Sequence, residues 1–315
     1  MHVLKNKSFI GKIYKALTKL QIKKALSLIF YRILFYFLKN QILIVGIAPY
    51  NKILNKYEKI ICRNKSFYFT SQTDWSGNCF LPGTLNNKRK FELLLTKCFK
   101  ASFCVTERSK KGVENYIDNC MVVNHSINIS DYRQRTKCGG VIKFVFIGQY
   151  VERKNISLIL SWFKKYSDNN VTMTFIGKGD LENNIVNMSK VDPRIKNLGF
   201  KSKTYIKNNL CNYDYLILPS EEEPFGIVLL EALASGVPCI VSNAVGPSEI
   251  ICDDYNGFVF DLNDKESSFD NKMKQAINLN KKERRVLKKQ ALTSCSKYDC
   301  SIVVKKWIKT IRLFN

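Results

Sequence analysis

A chain of 315 residues exceeds one ordinary core and suffices for two domains. Its 45% hydrophobic and 12% aromatic content excludes a disordered chain. A net charge of +25, from 51 Lys and Arg against 26 Asp and Glu, favours anionic partners such as nucleic acid, an anionic membrane surface or phosphorylated small molecules, although a Lys-, Asn- and Ile-rich codon bias accounts for it equally well.

The first 40 residues hold nine Lys or Arg and no Asp or Glu. Leu17, Leu20, Ile22, Leu26, Ile29, Ile33 and Phe37 fall roughly at helical spacing and predict one or two basic amphipathic helices. Such helices lie on membrane surfaces; packing of the apolar face on the rest of the domain is the alternative, which periodicity does not exclude. The apolar run over residues 25–38 is shorter than the ~20 residues of a bilayer span. No small-residue cleavage site follows the start, so the expectation is a cytoplasmic protein, peripheral on the inner membrane face.

Gln41-Ile-Leu-Ile-Val-Gly, Lys65-Ser-Phe-Tyr-Phe-Thr-Ser, Phe103-Cys-Val-Thr and Met121-Val-Val-Asn read as short buried strands, with a helix near residues 110–116. Strands alternating with helices predict a parallel α/β sheet. Residues 131–140 are polar, end in Cys-Gly-Gly and read as a linker. A second block follows. Ile142-Lys-Phe-Val-Phe-Ile-Gly is a strand, and Ile156, Ile159, Leu160 and Phe163 fall at i, i+3, i+4 and i+7 of a helix. Val171-Thr-Met-Thr-Phe-Ile-Gly, Tyr213-Asp-Tyr-Leu-Ile-Leu-Pro-Ser and Cys239-Ile-Val-Ser are further strands. The tail after Asn271 carries thirteen Lys or Arg against Glu283 and Asp299 and reads as surface helices, the last near residues 301–313. The expected division is 1–137, 138–300 and a C-terminal helix, 301–315, returning to the first domain.

Eleven cysteines are scattered without Cys-x-x-Cys spacing, which speaks for buried thiols in a reducing compartment and against zinc. Only His2 and His125 occur, so a two-histidine metal site is not expected, and His125 reads as a structural hydrogen bonder.

The sharpest pattern is Pro219-Ser-Glu-Glu-Glu-Pro-Phe-Gly-Ile-Val-Leu-Leu-Glu-Ala-Leu-Ala-Ser-Gly-Val-Pro. A strand ends at Pro219, Pro224 suits the first turn of a helix, and Gly236 with Pro238 ends that helix. Phe225, Gly226 and Ile227 then offer free backbone N–H groups at a helix N-terminus, a ready anion site at the C-terminal edge of a parallel sheet. Glu223 precedes the helix and Glu231 stands two turns along it, about 80° off a common face, so the two carboxylates touch different parts of one extended ligand. The alternative is that Glu223 caps the helix and Glu231 is a solvated face residue.

Glu223-Pro-Phe-Gly-Ile-Val-Leu-Leu-Glu231 resembles the signature of the large retaining glycosyltransferase family 4, of GT-B fold: a Glu, seven residues and a second Glu, with Pro-Phe-Gly after the first. The resemblance implies that Glu223 contacts the transferred sugar and Glu231 the ribose hydroxyls. Gly148-Gln-Tyr-Val-Glu-Arg-Lys154 is similar to the family's Gly-Arg-Leu-x-x-x-Lys loop for the donor pyrophosphate. Lys154 falls on the Lys, Gln149 replaces the Arg, and Arg153 stands close enough in sequence to compensate; an exposed helix-start lysine is the alternative for Lys154. Ile176-Gly177-Lys-Gly-Asp resembles the family's Gly-x-Gly turn, and Leu198-Gly199-Phe200-Lys-Ser the loop whose backbone receives the base. Gly246-Pro-Ser-Glu249 and Asn256-Gly-Phe-Val-Phe complete the order, so the matches cover about residues 141–262.

Residues 41–135 resemble the acceptor domain, through Phe103-Cys-Val-Thr-Glu-Arg-Ser and Val122-Val-Asn-His-Ser-Ile-Asn. The family's opening strand and Gly-rich loop are missing, so this domain reads as abridged or as lacking an upstream piece. Where many relatives carry a His the chain has Tyr68-Phe-Thr-Ser-Gln-Thr-Asp-Trp75, which makes Asp74 and Gln72 acceptor-side candidates; a turn capped by Asp74 is the alternative.

Together the resemblance implies an α/β GT-B fold, with two Rossmann-like parallel-sheet domains facing a cleft. It implies transfer of a hexosyl-type sugar from a nucleotide-sugar to a saccharide or lipid-linked acceptor with retention, in cell-surface polysaccharide synthesis. Glu223 and Lys154 carry the chemistry, with no metal and no cofactor beyond the donor substrate. Two other readings stand: an inert family member acting as a membrane-associated assembly partner, and a basic nucleic-acid-binding protein. The second lacks any helix-turn-helix, finger or aromatic-basic RNA motif, so nucleic acid is not an expected partner.

Overall fold

The computed structural model describes residues 42–45, 65–70, 99–115 and 117–313, the first two segments by their backbone alone. The basic segment 1–40 and the candidates Gln72 and Asp74 lie outside the described residues.

The chain divides into two compact units. Among the described residues the first holds β1 (Ile42–Val45), most of β2 (Lys65–Thr70) and most of β3 (Phe99–Cys104). β1 and β2 run parallel, with Ile42 opposite Lys65, and the four-stranded sheet has the order β1-β2-β3-β4, where β4 is Cys120–Val122.

The second unit contains residues 103–115 and everything from Cys120 onward. Its strands are β5 (Ile142–Gln149), β6 (Val171–Lys178), β7 (Ile195–Asn197), β8 (Tyr215–Leu218), β9 (Cys239–Ser242) and β10 (Gly257–Phe260). Their order is β10-β9-β8-β5-β6-β7, and all five pairings are parallel. The first strand of the unit is thus central, with the next two on one side and the last three on the other. This is the doubly wound dinucleotide-binding order, and its direction of winding reverses between β5 and β8. Ligands bind in such sheets at the crevice outside the carboxyl ends of the strands at that reversal.

Local sequence explains these elements. Phe144, Val145 and Phe146 in β5 and the whole of β8 are buried, as in a sheet covered on both faces. Helix α2 (Ile156–Lys165) buries Ile156, Leu158, Ile159, Trp162 and Phe163 on one stripe, and Phe163 meets Phe144 edge-on at 6.4 Å. Arg194, just before β7, anchors the C-terminal end of that helix: its guanidinium donates to the carbonyls of Phe163, Tyr166 and Asp168 and to the Asp192 carboxylate. Helices α3 (Glu182–Val191) and α4 (Lys203–Asn209) flank β7. Helix α5 (Ile227–Ala234) is apolar all round except for Glu231, and buries every residue from Leu229 to Ala234. The chain then forms α6 (Val245–Ile250), α7 (Lys265–Asn278), α8 (Lys281–Cys295) and α9 (Cys300–Arg312). Asn280 and Glu283 close a capping box at the start of α8. Cys104, Cys211, Cys239 and Cys295 are buried cysteines outside any disulfide.

The helix predicted near residues 110–116 is α1, Glu107–Val113, which starts earlier because Thr106 caps it: the Thr106 hydroxyl accepts from the Ser109 amide. Glu249 of α6 reinforces this cap, its carboxylate accepting from the amides of Glu107 at 3.0 Å and Arg108 at 3.4 Å.

Candidate functional site

At the reversal point, the loop after β5 meets the loop after β8. The Glu221 amide donates to the Arg153 carbonyl at 2.9 Å, and Arg153 Nη1 reaches the Glu222 carbonyl at 3.4 Å. These bonds bring Lys154 onto Glu223, 69 residues later, where ammonium and carboxylate form an ion pair with both side chains largely buried. The exposed-lysine alternative for Lys154 is thereby corrected. A buried ammonium needs a counter-charge, and Glu223 supplies it. The same pair removes Glu223 from the role of simple helix cap. Beside it, Asn155 sits in the left-handed region at φ 52°, and its buried Nδ2, like the buried Ser220 hydroxyl, has no hydrogen-bond partner among the described residues.

Helix α5 begins at Ile227 rather than at Pro224. Gly226 takes φ 88°, a conformation that a residue with a Cβ rarely adopts, and an added Cβ would lie 2.9 Å from Leu229 Cδ1. The Glu-Pro-Phe segment is therefore a loop ahead of the helix, and Pro224 stands outside its first turn. The consequence for the anion site is a shift in its members. Ile227 and Val228, in the first turn, have amides with no intrahelical acceptor, whereas the Leu229 amide already bonds to the Gly226 carbonyl at 2.9 Å. Phe225 is buried, edge-on to His125 at 5.1 Å and to Tyr298 at 6.2 Å, while Ile227 is half exposed. Burial holds His125 below its ordinary value of 6.5 and so keeps it neutral. The Gly246 amide donates to the Glu223 carbonyl at 3.2 Å, tying α6 to the same loop.

Glu231 is buried in α5, which corrects its alternative reading as a solvated face residue. Its Oε1 accepts from the Tyr132 hydroxyl at 3.1 Å and pairs with Lys203 Nζ at 2.7 Å. Burial, and then the neighbouring Glu231 carboxylate, push the Tyr132 hydroxyl well up, so it remains a donor. Lys203 is the first residue of α4, whose preceding Ser202 caps the helix by accepting from the Tyr205 amide. The stretch holding Tyr132 is itself bound to α4: Lys207 pairs with Asp131 at 2.6 Å, and the Arg133 amide donates to the Lys207 carbonyl at 3.0 Å.

The remaining candidates line the C-terminal edge of the sheet. Gly148 of β5 pairs with Gly177 of β6, and the Gly177 amide donates to the Gly199 carbonyl at 3.0 Å. The three glycines are thus adjacent. A Cβ on Gly177 would lie 1.8 Å from the Gly148 carbonyl oxygen, so no larger residue fits there. Gln149 ends β5 exposed; Phe200 is 71% exposed, with Lys178 Nζ over its ring at 5.8 Å. Sequence reasoning missed Tyr132, Lys203 and Asn155. The first two act on Glu231 from distant parts of the chain, and the Lys154-Asn155 step before an apolar helix was the one local signal for Asn155. Among the described residues, no three His, Cys, Asp or Glu side chains gather as a metal site, and no helix is long and apolar enough to cross a membrane.

The arrangement offers a buried lysine–carboxylate pair, a second buried carboxylate and helix-start amides without an intrahelical acceptor at one sheet edge, a set suited to an anionic ligand with hydroxyl groups. The profile of the glycosyl transferases group 1 family matches residues 129–293, just over half of the chain. An uncharacterised glycosyltransferase of Methanocaldococcus jannaschii is 32% identical over 117 residues, covering 36% of this chain and 30% of that protein. The UDP-Gal:alpha-D-GlcNAc-diphosphoundecaprenol alpha-1,3-galactosyltransferase of Escherichia coli is 25% identical over 199 residues, covering 56% of this chain and 51% of that protein. The chain therefore spans about half or less of the length of these curated relatives. Anabaena HepE, crystallised with UDP and glucose, superposes with a TM-score of 0.67 at 16% identity, covering 81% of this chain and 76% of that one. This likeness, with the six-stranded parallel sheet, gives the α/β GT-B fold class.

Proposed function

This chain belongs to the glycosyl transferases group 1 family, and from that membership we propose that it transfers a sugar from a nucleotide-sugar, with retention, to a saccharide or lipid-linked acceptor in cell-surface polysaccharide synthesis. The observation that carries the proposal is the Lys154–Glu223 ion pair at the reversal point of the sheet, with Glu231 one helix segment further along. Lys154 has three N–H donors, and Glu223 takes one. The others suit phosphate oxygens of a leaving nucleoside diphosphate, together with the Ile227 and Val228 amides. Glu223, oriented by Lys154, stands beside the sugar whose positive charge develops in the transition state, and Glu231 accepts from the ribose hydroxyls. The acceptor class draws support from the Escherichia coli relative, which acts on a diphosphoundecaprenol-linked sugar. Asp74 and Gln72 remain proposed acceptor-side residues, and the membrane-peripheral setting a proposal resting on charge.

The test is calorimetric titration of UDP, GDP and their sugar conjugates into the wild type and Glu231→Gln. Binding of one nucleotide, weakened about tenfold or more by loss of a charged hydrogen-bond acceptor, is the expected result. A folded protein that binds none of them would refute the transferase reading and leave the inert-partner one.

A further inference from the structure

Helix α9 buries one side and turns a mixed basic and aliphatic side outward. Inward, Val303 and Thr310 are buried and the Trp307 ring meets Phe103 edge-on with centroids 4.5 Å apart. Asp299 fixes its start, accepting from the Ser301 amide at 2.9 Å. A surface helix ordinarily turns a charged and polar side to water. Here Ile302, Val304 and Ile308 are 50%, 48% and 45% exposed, and Leu313, one residue past the helix, is 69% exposed. Between them stand Lys305, Lys306, Lys309 and Arg312, all exposed, and no Asp or Glu occurs from residue 300 to 315. Lys305, Ile308, Lys309, Arg312 and Leu313 together line a shallow depression of about 430 Å³.

We propose that the outward side of α9 docks on a bilayer surface of anionic phospholipid. The mixture of side chains decides among partners. Nucleic acid uses the cations but gains nothing from outward Ile and Leu. The core of a protein interface excludes Lys. A bilayer uses both: cations reach the headgroup phosphates while branched aliphatic chains enter the acyl boundary, and the long lysine stems lie along the same level. Cations near such a surface are each attracted strongly enough to matter at this number. The docking side is independent of the nucleotide reading, because it uses none of the donor-site residues.

The experiment is flotation of the full chain with vesicles of phosphatidylcholine, with and without phosphatidylglycerol. The wild type binds the phosphatidylglycerol vesicles. Replacing Lys305, Lys309 and Arg312 by Gln together weakens that binding by on the order of 100-fold, taking roughly fivefold per cation. Ile308→Ser with Leu313→Ser keeps every charge and weakens it by about tenfold or more. Val191→Ser, an outward apolar residue of α3, leaves it unchanged. All three variants keep the thermal midpoint and the nucleotide affinity of the wild type, since each change points to water. Absence of wild-type binding would overturn the proposal. So would binding that ignores both sets of α9 substitutions, or binding that responds to charge alone while Ile308 and Leu313 prove irrelevant.

Discussion

Replacing Arg194 by Ala removes the structural clamp between α2 and β7. Its guanidinium meets Asp192 through Nε at 2.9 and 3.2 Å and through Nη2 at 2.7 Å. It also reaches the carbonyls of Phe163 at 2.8 Å, Tyr166 at 2.6 Å and Asp168 at 3.0 Å. Hydrogen bonds to charged groups contribute about 1.5–3 kcal/mol each but do not add. The substitution also leaves Asp192, which keeps only 12% of its side-chain surface exposed, without its counter-charge. The expected loss is therefore about 3–5 kcal/mol, the range for breaking a largely buried pair, and a fall of roughly 10 °C in midpoint. Arg194→Lys retains the charge but not the planar fork, and should still lose about 2 kcal/mol. The Arg194 side chain holds the Asp192 carboxyl below the ordinary 3.8. The unfolded carboxyl binds its proton first on acidification, so this stabilisation is complete above 3.8 and is lost as pH falls through the lower folded value. Arg194→Ala should flatten that acid limb. Urea denaturation of the three proteins across acid pH reads all of this. An Arg194→Lys protein within about 0.5 kcal/mol of wild type would refute the reasoning, since only the fork geometry distinguishes the two.

Gly177→Ala forces a Cβ onto the Gly148 carbonyl oxygen, so β5 and β6 must part; we expect a loss of about 3 kcal/mol or more, seen as a lowered urea midpoint and weakened nucleotide binding. Lys154→Met leaves Glu223 without its cation and should lower kcat by about 100-fold, measured as sugar transfer or donor hydrolysis. Burial depresses the pKa of His125, so the unfolded chain takes up a proton near 6.5 that the folded chain refuses, and stability falls as pH drops below that value. The comparison of urea midpoints at about pH 7.5 and about pH 5.5 should show a smaller difference in His125→Gln than in wild type.

The strands that frame the site were legible because they are continuous apolar runs: β5 and β6 fall where Ile142-Lys-Phe-Val-Phe-Ile and Val171-Thr-Met-Thr-Phe-Ile place them. β7 escaped notice, for three residues with one of them buried carry no period. The start of α5 was misplaced because Pro224 is a good first-turn residue locally, while the positive φ of Gly226 that actually delays the helix is not written in residue type. The candidate anion site could be placed from glycines and helix signals, but its electrostatics could not. Lys154 finds Glu223 across 69 residues and Tyr132 finds Glu231 across 99. Such pairings follow from sheet order, which depends on packing of the whole unit rather than on any window of sequence.

The bond from Tyr132 to Glu231 has a practical meaning for anyone who wishes to isolate the half that carries the proposed donor site. A fragment begun at the glycines of residues 139–140 looks natural, since it starts just before β5, yet it discards the hydroxyl that holds Glu231 and the Asp131 carboxylate that steadies α4. It also discards Ile127, whose amide and carbonyl bond to Tyr298 and Cys300 at the start of α9. Cutting ahead of Ile127 keeps all three, and the excised piece then retains the side chains that shape its own ligand edge.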